Sequence, residues 1–213
     1  MSRGSRQVLK KIFKVIPGPY WGLLSMIVGL LGDVIAILMT PDYDLNYMVS
    51  YLGTGPGALF FNSGTILSGL FALVFYLYLV PILKSINVSE KIHRTALLFA
   101  ILSCIFFSLI GFFPSITTSS VLIIIHGFVA MSSLICGSIY KTLFGYMMLK
   151  NNKFLKLHAY SAIIVVVIEV AFLLTWVPII EWMMVVAITY WIFMLSFHIF
   201  TRKDLRYINN DSI

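Results

Sequence analysis

Residues 157–177 read LHAYSAIIVVVIEVAFLLTWV, and this stretch decides the fold. It contains no Lys or Arg and one acidic residue, Glu169. A helix needs about 20 predominantly apolar residues to cross the hydrocarbon core of a bilayer. The stretch therefore predicts a transmembrane helix that carries a carboxyl group within it.

Five further apolar runs of this kind lie along the chain. With the first, the six predicted spans cover residues 20–39, 58–83, 95–113, 119–140, 157–177 and 182–200. The chain is 60% hydrophobic and 11% charged, whereas a soluble domain carries roughly 25% charged residues. These values predict an all-α, polytopic membrane protein, a bundle of six transmembrane helices. We expect the fourth span to extend to residue 149 if Lys141 snorkels toward the membrane surface.

The basic residues are distributed on one side only. All 15 Lys and Arg residues flank the N-terminus, the second and fourth loops and the C-terminus, while the other three loops have none. The positive-inside rule then places both termini in the cytoplasm of a multi-pass cell-membrane protein. The net charge of +7 fits contact with anionic lipid headgroups rather than nucleic acid. The predicted segments are a basic amphipathic cytoplasmic segment (1–19), the transmembrane domain (20–200) and a cytoplasmic tail (201–213).

Small residues recur four apart in two spans. Gly64 precedes Ser68 and Ser133 precedes Gly137 at the spacing that lets helix backbones approach closely in lipid. Packing among the six helices is the favoured interpretation, and a dimer interface is the alternative.

Four polar side chains interrupt the spans in one shared layer. At a rise of about 1.5 Å per residue, each lies roughly 7–13 Å below the predicted outer surface. A charged group at mid-membrane costs about 2.5–3.5 kcal/mol on insertion scales, so such groups need a partner or a wet cavity. The four are Asp33, Asn62, His126 and Glu169.

Two interpretations of this layer remain open. In one, buried polar groups pair with each other, Tyr190 with Glu169 and Ser108 with His126. In the other, they line an outward-facing polar pocket roofed by residues 40–57, whose glycine run can bring backbone N–H groups close to a ligand. The ligand-binding residues of that pocket would be Ser50, Gly53, Asn62, Ser108, His126 and Glu169.

The chemistry of such a pocket is not decided by the sequence. His126 as a base, oriented by Asp33 or Glu169, would suit hydrolysis of a lipid headgroup, which makes these three the catalytic candidates. Simple ligand binding or proton-coupled passage would use the same groups. One His and two carboxylates on separate helices are a weak metal signal, and neither HExxH nor GxSxG occurs. We therefore predict no metal and no cofactor, and leave open whether the protein is an enzyme.

Three other histidines lie near predicted cytoplasmic ends. His158 and His198 are level in a hairpin, as two axial haem ligands would be. At the membrane interface a histidine is easily solvated, so we interpret both, and His93, as interfacial anchors.

Two stretches resemble a known prokaryotic family. The first stretch contains residues 48–53 (MVSYLG), residues 58–62 (ALFFN) and Gly69. The second stretch contains residues 111–114 (GFFP), followed by His126. Together they resemble the six-helix membrane proteins of domain of unknown function 998. The family often has an acidic residue where this chain has Tyr51, and the resemblance implies no established activity. The matching residues are Ser50, Leu52, Gly53, Asn62, Gly111, Pro114 and His126.

The sequence thus predicts a membrane protein that binds or processes a lipid headgroup or small ligand, with membrane lipid as its partner. The alternatives are a non-catalytic accessory subunit that packs against partner membrane subunits, and a small transporter. The outer loops contain no Lys or Arg, so a neutral or cationic ligand, or a metal-bridged anion, is expected in any pocket.

The orientation is tested by cysteine labelling in intact cells. Asp44→Cys, in the first loop, should react with a membrane-impermeant thiol reagent, whereas Ser2→Cys and Ser212→Cys should react only after lysis. Labelling of either terminal cysteine in intact cells would contradict the predicted orientation.

Overall fold

The computed structural model describes residue 7 and residues 11–84, 88–115 and 119–206. Residues 11–15 are helical. The rest of the predicted amphipathic helix before them, and residues 207–213 of the predicted tail, lie outside the described residues.

Six long helices make up most of the described chain, and each is long and apolar enough to cross a membrane. A 3₁₀ helix (Val49–Gly53) lies in the first loop. The described residues contain no strand, so the all-α class and the six-helix bundle are confirmed, while the orientation of the termini stays a prediction. The helices are α1 (Gly18–Leu38), α2 (Ala58–Leu83), α3 (Glu90–Phe112), α4 (Ser120–Leu149), α5 (Lys156–Thr175), α6 (Pro178–Thr201) and the short α7 (Lys203–Arg206).

Local sequence signals set several helix ends. Ser89 and Ser119 cap α3 and α4 by accepting a backbone N–H with their hydroxyl oxygens. Trp176 ends α5 in a left-handed conformation, with φ of 54°. Pro178 then opens α6, where its missing N–H removes no helical hydrogen bond. The α5–α6 hairpin is therefore tight.

The six helices form a closed ring in chain order. Each packs against the next, and α6 packs back against α1. The main buried core lies toward the end of the ring that holds the chain termini, and includes Phe75, Phe144, Trp191 and Leu195. The opposite end, which we call the loop end, is covered by residues 39–57 and has a small core of its own around Leu52.

Small residues let neighbouring helices touch at two places in this ring. A Cβ added to Gly64 would lie 3.0 Å from the Cα of Gly32, so α1 and α2 approach at their backbones. Between α3 and α4, the hydroxyl of Ser103 donates to the carbonyl of Ser133 at 2.9 Å, and Ser133 returns the bond at 3.2 Å. The small-residue stripes pack inside the bundle, which confirms the favoured interpretation.

Gly32→Val tests this close approach. A Cβ at Gly32 would lie 2.8 Å from the carbonyl oxygen of Phe60 and 3.0 Å from the Cα of Gly64, and backbone cannot move aside as a side chain can. We expect a loss of about 1–3 kcal/mol, measured by SDS-induced unfolding in mixed micelles. Gly127→Ala is the control, because a Cβ there meets nothing within 4 Å. Equal stability of the two variants would argue against this packing.

Candidate functional site

A cavity of about 390 Å³ occupies the centre of the ring, and all six long helices line it. Six helices packed in a ring leave a space at the centre, and small side chains alone do not fill that space. Most of the wall is apolar, as at Met26 on α1, Phe107 on α3 and Ile188 on α6. Its acidic and lysine side chains lie at the loop end and at the opposite end, which we call the floor, and serine and threonine residues also line it.

Two carboxyl groups from different helices line the loop end. Asp33 projects from α1 and Glu181 from the first turn of α6, and both line the cavity. Glu181 also holds the 3₁₀ helix, because its Oε2 accepts the N–H of Val49 at 2.7 Å and the carboxyl group is hydrogen-bonded to the backbone of Ser50. Ser50 itself lines the cavity.

Sequence reasoning missed Glu181. It lies four residues beyond the predicted end of the fifth span, where a charge is easily solvated, so depth counting gave it no weight. One signal was available, because Glu181 is the acidic residue in the first turn of α6. A side chain in the first turn of a helix faces back toward a loop.

The first loop is fixed over the cavity by further hydrogen bonds. The indole N–H of Trp182 donates to the Tyr43 hydroxyl at 3.0 Å. That hydroxyl faces the carbonyls of Tyr47 and Met48 at 3.2 and 3.3 Å. Burial raises the pKa of Tyr43 to about 12, so its hydroxyl keeps its proton at neutral pH and donates to these carbonyls.

Asn62 and Gly53 form another attachment of this loop. The Asn62 side-chain amide donates to the carbonyl of Gly53 at 3.1 Å. A Cβ on Gly53 would come within 2.8 Å of Asn62 Oδ1, so glycine is needed there. Neither residue lies on the cavity wall. The structure therefore places these two predicted ligand-binding residues together, beside the cavity.

His126 lines the cavity and is 9% exposed. Its Nδ1 lies 2.8 Å from the carbonyl oxygen of Phe113, near the end of α3. A carbonyl oxygen only accepts, so Nδ1 carries a proton and Nε2 of the neutral ring keeps a lone pair. Nε2 has no hydrogen-bond partner among the described residues. The ring is oriented by a backbone carbonyl, and not by Asp33 or Glu169 as the hydrolysis hypothesis expected.

The floor contains an ion pair between α4 and α5. Lys141 Nζ lies 2.6 Å from Glu169 Oε1, and the two side chains are 3% and 1% exposed. Ser138 donates to the other carboxylate oxygen at 2.9 Å. The predicted snorkelling of Lys141 is therefore wrong. A helical side chain leans toward its own N-terminus, and here the missing side chain of Gly137 lets the ammonium reach Glu169, since a Cβ there would lie 2.8 Å from Nζ.

The pairings expected within the polar layer are also wrong. Tyr190 is 55% exposed on the outside of α6 and does not bond to Glu169. Ser108 donates to the carbonyl of Ile66 at 3.2 Å instead of bonding to His126. Ser108 packs against Gly69 and does not line the cavity. Of the predicted site residues, the cavity wall brings together Asp33, Ser50, His126 and Glu169.

The histidines at the other end do not form the arrangements considered from sequence. The rings of His158 and His198 are in contact, with centroids 4.5 Å apart, which leaves no space for a porphyrin between them. His158 and His93 are 2% and 6% exposed, so neither is a solvated interfacial anchor. In the described part of the chain, no group of three or more His, Cys, Asp or Glu residues could hold a metal ion.

Comparison with known proteins gives one match. A family model, described as protein of unknown function (DUF998), matches residues 23–198. No curated protein and no solved structure matches the chain. The match confirms the resemblance drawn from the two sequence stretches.

The ion pair generates a stability prediction. Glu169→Leu or Lys141→Met alone leaves one charge buried, so each should lose about 3–5 kcal/mol in SDS-induced unfolding. The double variant removes both charges and should recover most of that loss.

Arg94→Met is the matched control for the ion pair. It breaks an ion pair with Glu90 whose side chains are 80% and 55% exposed, and it should cost at most about 1 kcal/mol. If the stability loss of the double variant equals the sum of the losses of the two single variants, the two charges do not stabilise each other.

Proposed function

The chain belongs to the DUF998 family of proteins of unknown function, and from that premise we propose that it binds an amphiphilic small molecule, a lipid or a compound of similar build, in its central cavity. The apolar part of the ligand occupies the middle of the cavity. Its polar end lies at the loop end, which the positive-inside rule predicts to be on the outer side of the membrane. The central cavity is the observation that carries this proposal.

The size and lining of the cavity support a ligand of this kind. Small-molecule sites are commonly clefts of about 300–1,000 Å³ with mostly apolar walls and a few polar groups. The cavity, at about 390 Å³, lies at the lower end of this range. Its wall is mostly apolar, and the carboxyl groups of Asp33 and Glu181 line it at the loop end. A molecule with one polar end and one apolar end matches that division.

The charges on the wall favour a neutral or cationic polar end. Lys141 is the only Lys or Arg among the described residues of the wall, and Glu169 already neutralises it. Asp33 and Glu181 add only negative charge or protonated carboxyl groups. An anionic ligand would therefore enter a site with no free cation.

Binding is better supported than hydrolysis. Glu169 is held by Lys141 and Ser138, so it does not orient His126. A base oriented by a backbone carbonyl still accepts a hydrogen bond from a ligand through Nε2. We propose that role for His126, and the accessory-subunit and transporter alternatives have no particular contact in their favour.

Gly127→Leu tests the proposal by filling the cavity. Gly127 lines the cavity and has open space where a side chain would go, so the leucine should occupy the ligand site without displacing backbone. We expect mass spectrometry of organic extracts of the purified protein to find a stoichiometric small molecule with the wild type, and little with Gly127→Leu.

Ile124→Phe is the control for added bulk. Ile124 lies on the same helix but is 69% exposed on its outer face, so this variant should keep the bound molecule. Thermal unfolding in detergent should be similar for all three proteins. An identical extract from wild type and Gly127→Leu would overturn the proposal.

A further inference from the structure

The structure points to a cationic amphiphile as the ligand: we propose that Asp33 and Glu181 bind the ammonium group of an alkylamine-like molecule whose chain fills the cavity. This inference rests on the proposed function and names the chemical class of its ligand. It gives a role to Glu181, which the sequence did not single out.

The two carboxyl groups lie on helices that close the ring. Asp33 is on α1 and Glu181 is on α6, and these helices pack against each other. Both residues line the cavity, and their helix neighbours Ile37 and Trp182 pack against one small core at the loop end. Like charges held at one end of an apolar cavity are unfavourable unless a cation or protons compensate them. A cationic group between them would relieve that repulsion.

The protein supplies no cation of its own to this pair. Among the described residues, neither Asp33 nor Glu181 takes part in a salt bridge. The hydrogen bonds that Glu181 accepts come from backbone N–H groups of the first loop. Lys141, the basic residue on the wall, is bound by Glu169 at the floor. Where protons do not neutralise the pair, the compensating cation therefore comes from outside the described chain.

His126 gives an independent indication. Its side chain is nine-tenths buried and faces the cavity, and its Nε2 accepts no hydrogen bond among the described residues. This atom is therefore available to a hydrogen-bond donor on a ligand in the cavity. Asp33, Glu181 and His126 thus all offer acceptors, whereas an alkylammonium group offers three N–H donors and no acceptor. A donor-rich cation is the complement of this set.

The apolar wall distinguishes an amphiphile from a simple inorganic cation. Met26 and Leu30 lie on the same helix as Asp33, and Val185 and Ile188 follow Glu181 on α6, all of them on the cavity wall. A metal ion would use the carboxylates alone and leave this surface empty. An alkyl chain attached to the cation would cover it, at a gain of roughly 25 cal/mol per Å² of apolar surface buried.

The experiment compares three probes of equal chain length on the purified full chain. Decylamine, decanol and decanoate present a cationic, a neutral and an anionic head group, and native mass spectrometry counts the molecules bound as each is titrated. We expect decylamine to bind wild type at least about tenfold more tightly than decanol, and decanoate to bind most weakly. Equal affinity for decylamine and decanol would overturn the inference without any variant being needed.

Isosteric variants test which residues cause the preference for decylamine. Asp33→Asn and Glu181→Gln should each lower the ratio of decylamine affinity to decanol affinity. Glutamine at position 181 keeps an oxygen that can accept the Val49 N–H. Asp42→Asn is the control, because it removes a carboxylate from an exposed position in the first loop. A decylamine preference that persists in the double variant would overturn the assignment to these residues.

The remaining outcomes separate this inference from the proposed function. Decanol binding that Gly127→Leu removes, with no preference for decylamine, would overturn the cationic ligand and leave the proposed function standing. Failure of all three probes to bind in a saturable manner would overturn both. Calcium chloride alone, titrated in thermal unfolding, should not stabilise the protein. Stabilisation by calcium that depends on Asp33 would assign the pair to a metal cation instead.

Discussion

A charged group inside a membrane needs a partner or a water-filled cavity, and this constraint shapes the bundle. Lipid offers neither water nor counter-ions, so a lone ammonium or carboxylate at that depth is costly. Lys141 and Glu169 meet this constraint together, at 2.6 Å and almost fully buried. Their pairing fixes α4 against α5, and it depends on Gly137, whose missing side chain leaves a path for the lysine.

The same constraint separates structural polar groups from candidate functional ones. Asn62, Ser108 and Ser103 each donate to a backbone carbonyl of another element, and so hold loop and helices in place. Asp33 and the Nε2 atom of His126 have no such partner among the described residues, and both face the cavity. In a ligand-binding site, the polar groups that have no partner in the protein are the ones expected to contact the ligand. On the cavity wall, this distinguishes Asp33 and His126 from the ion-paired Glu169.

The ring arrangement explains why a small membrane protein has a cavity at all. Close glycine and serine contacts draw neighbouring helices together along the circumference, as between Gly32 and Gly64. At the end near the termini, Trp191 and Phe144 fill the centre. Toward the loop end a cavity remains at the centre, and the first loop, attached through Glu181 and Tyr43, covers it. A fixed roof over an apolar cavity suits retention of a bound molecule.

The sequence by itself determined the number of spans and the family, because apolar run length and short motifs are local properties. It also singled out Asp33, His126 and Glu169, since a charge within an apolar run is visible without a structure. Only the tertiary structure decided their partners. Lys141 looked like a helix-end lysine, Asn62 like a ligand residue and Glu181 like part of a turn, because each assignment depended on which neighbouring helix or loop lies opposite. Depth along a helix can be counted from the sequence, whereas the direction in which a side chain points is fixed only when the ring closes.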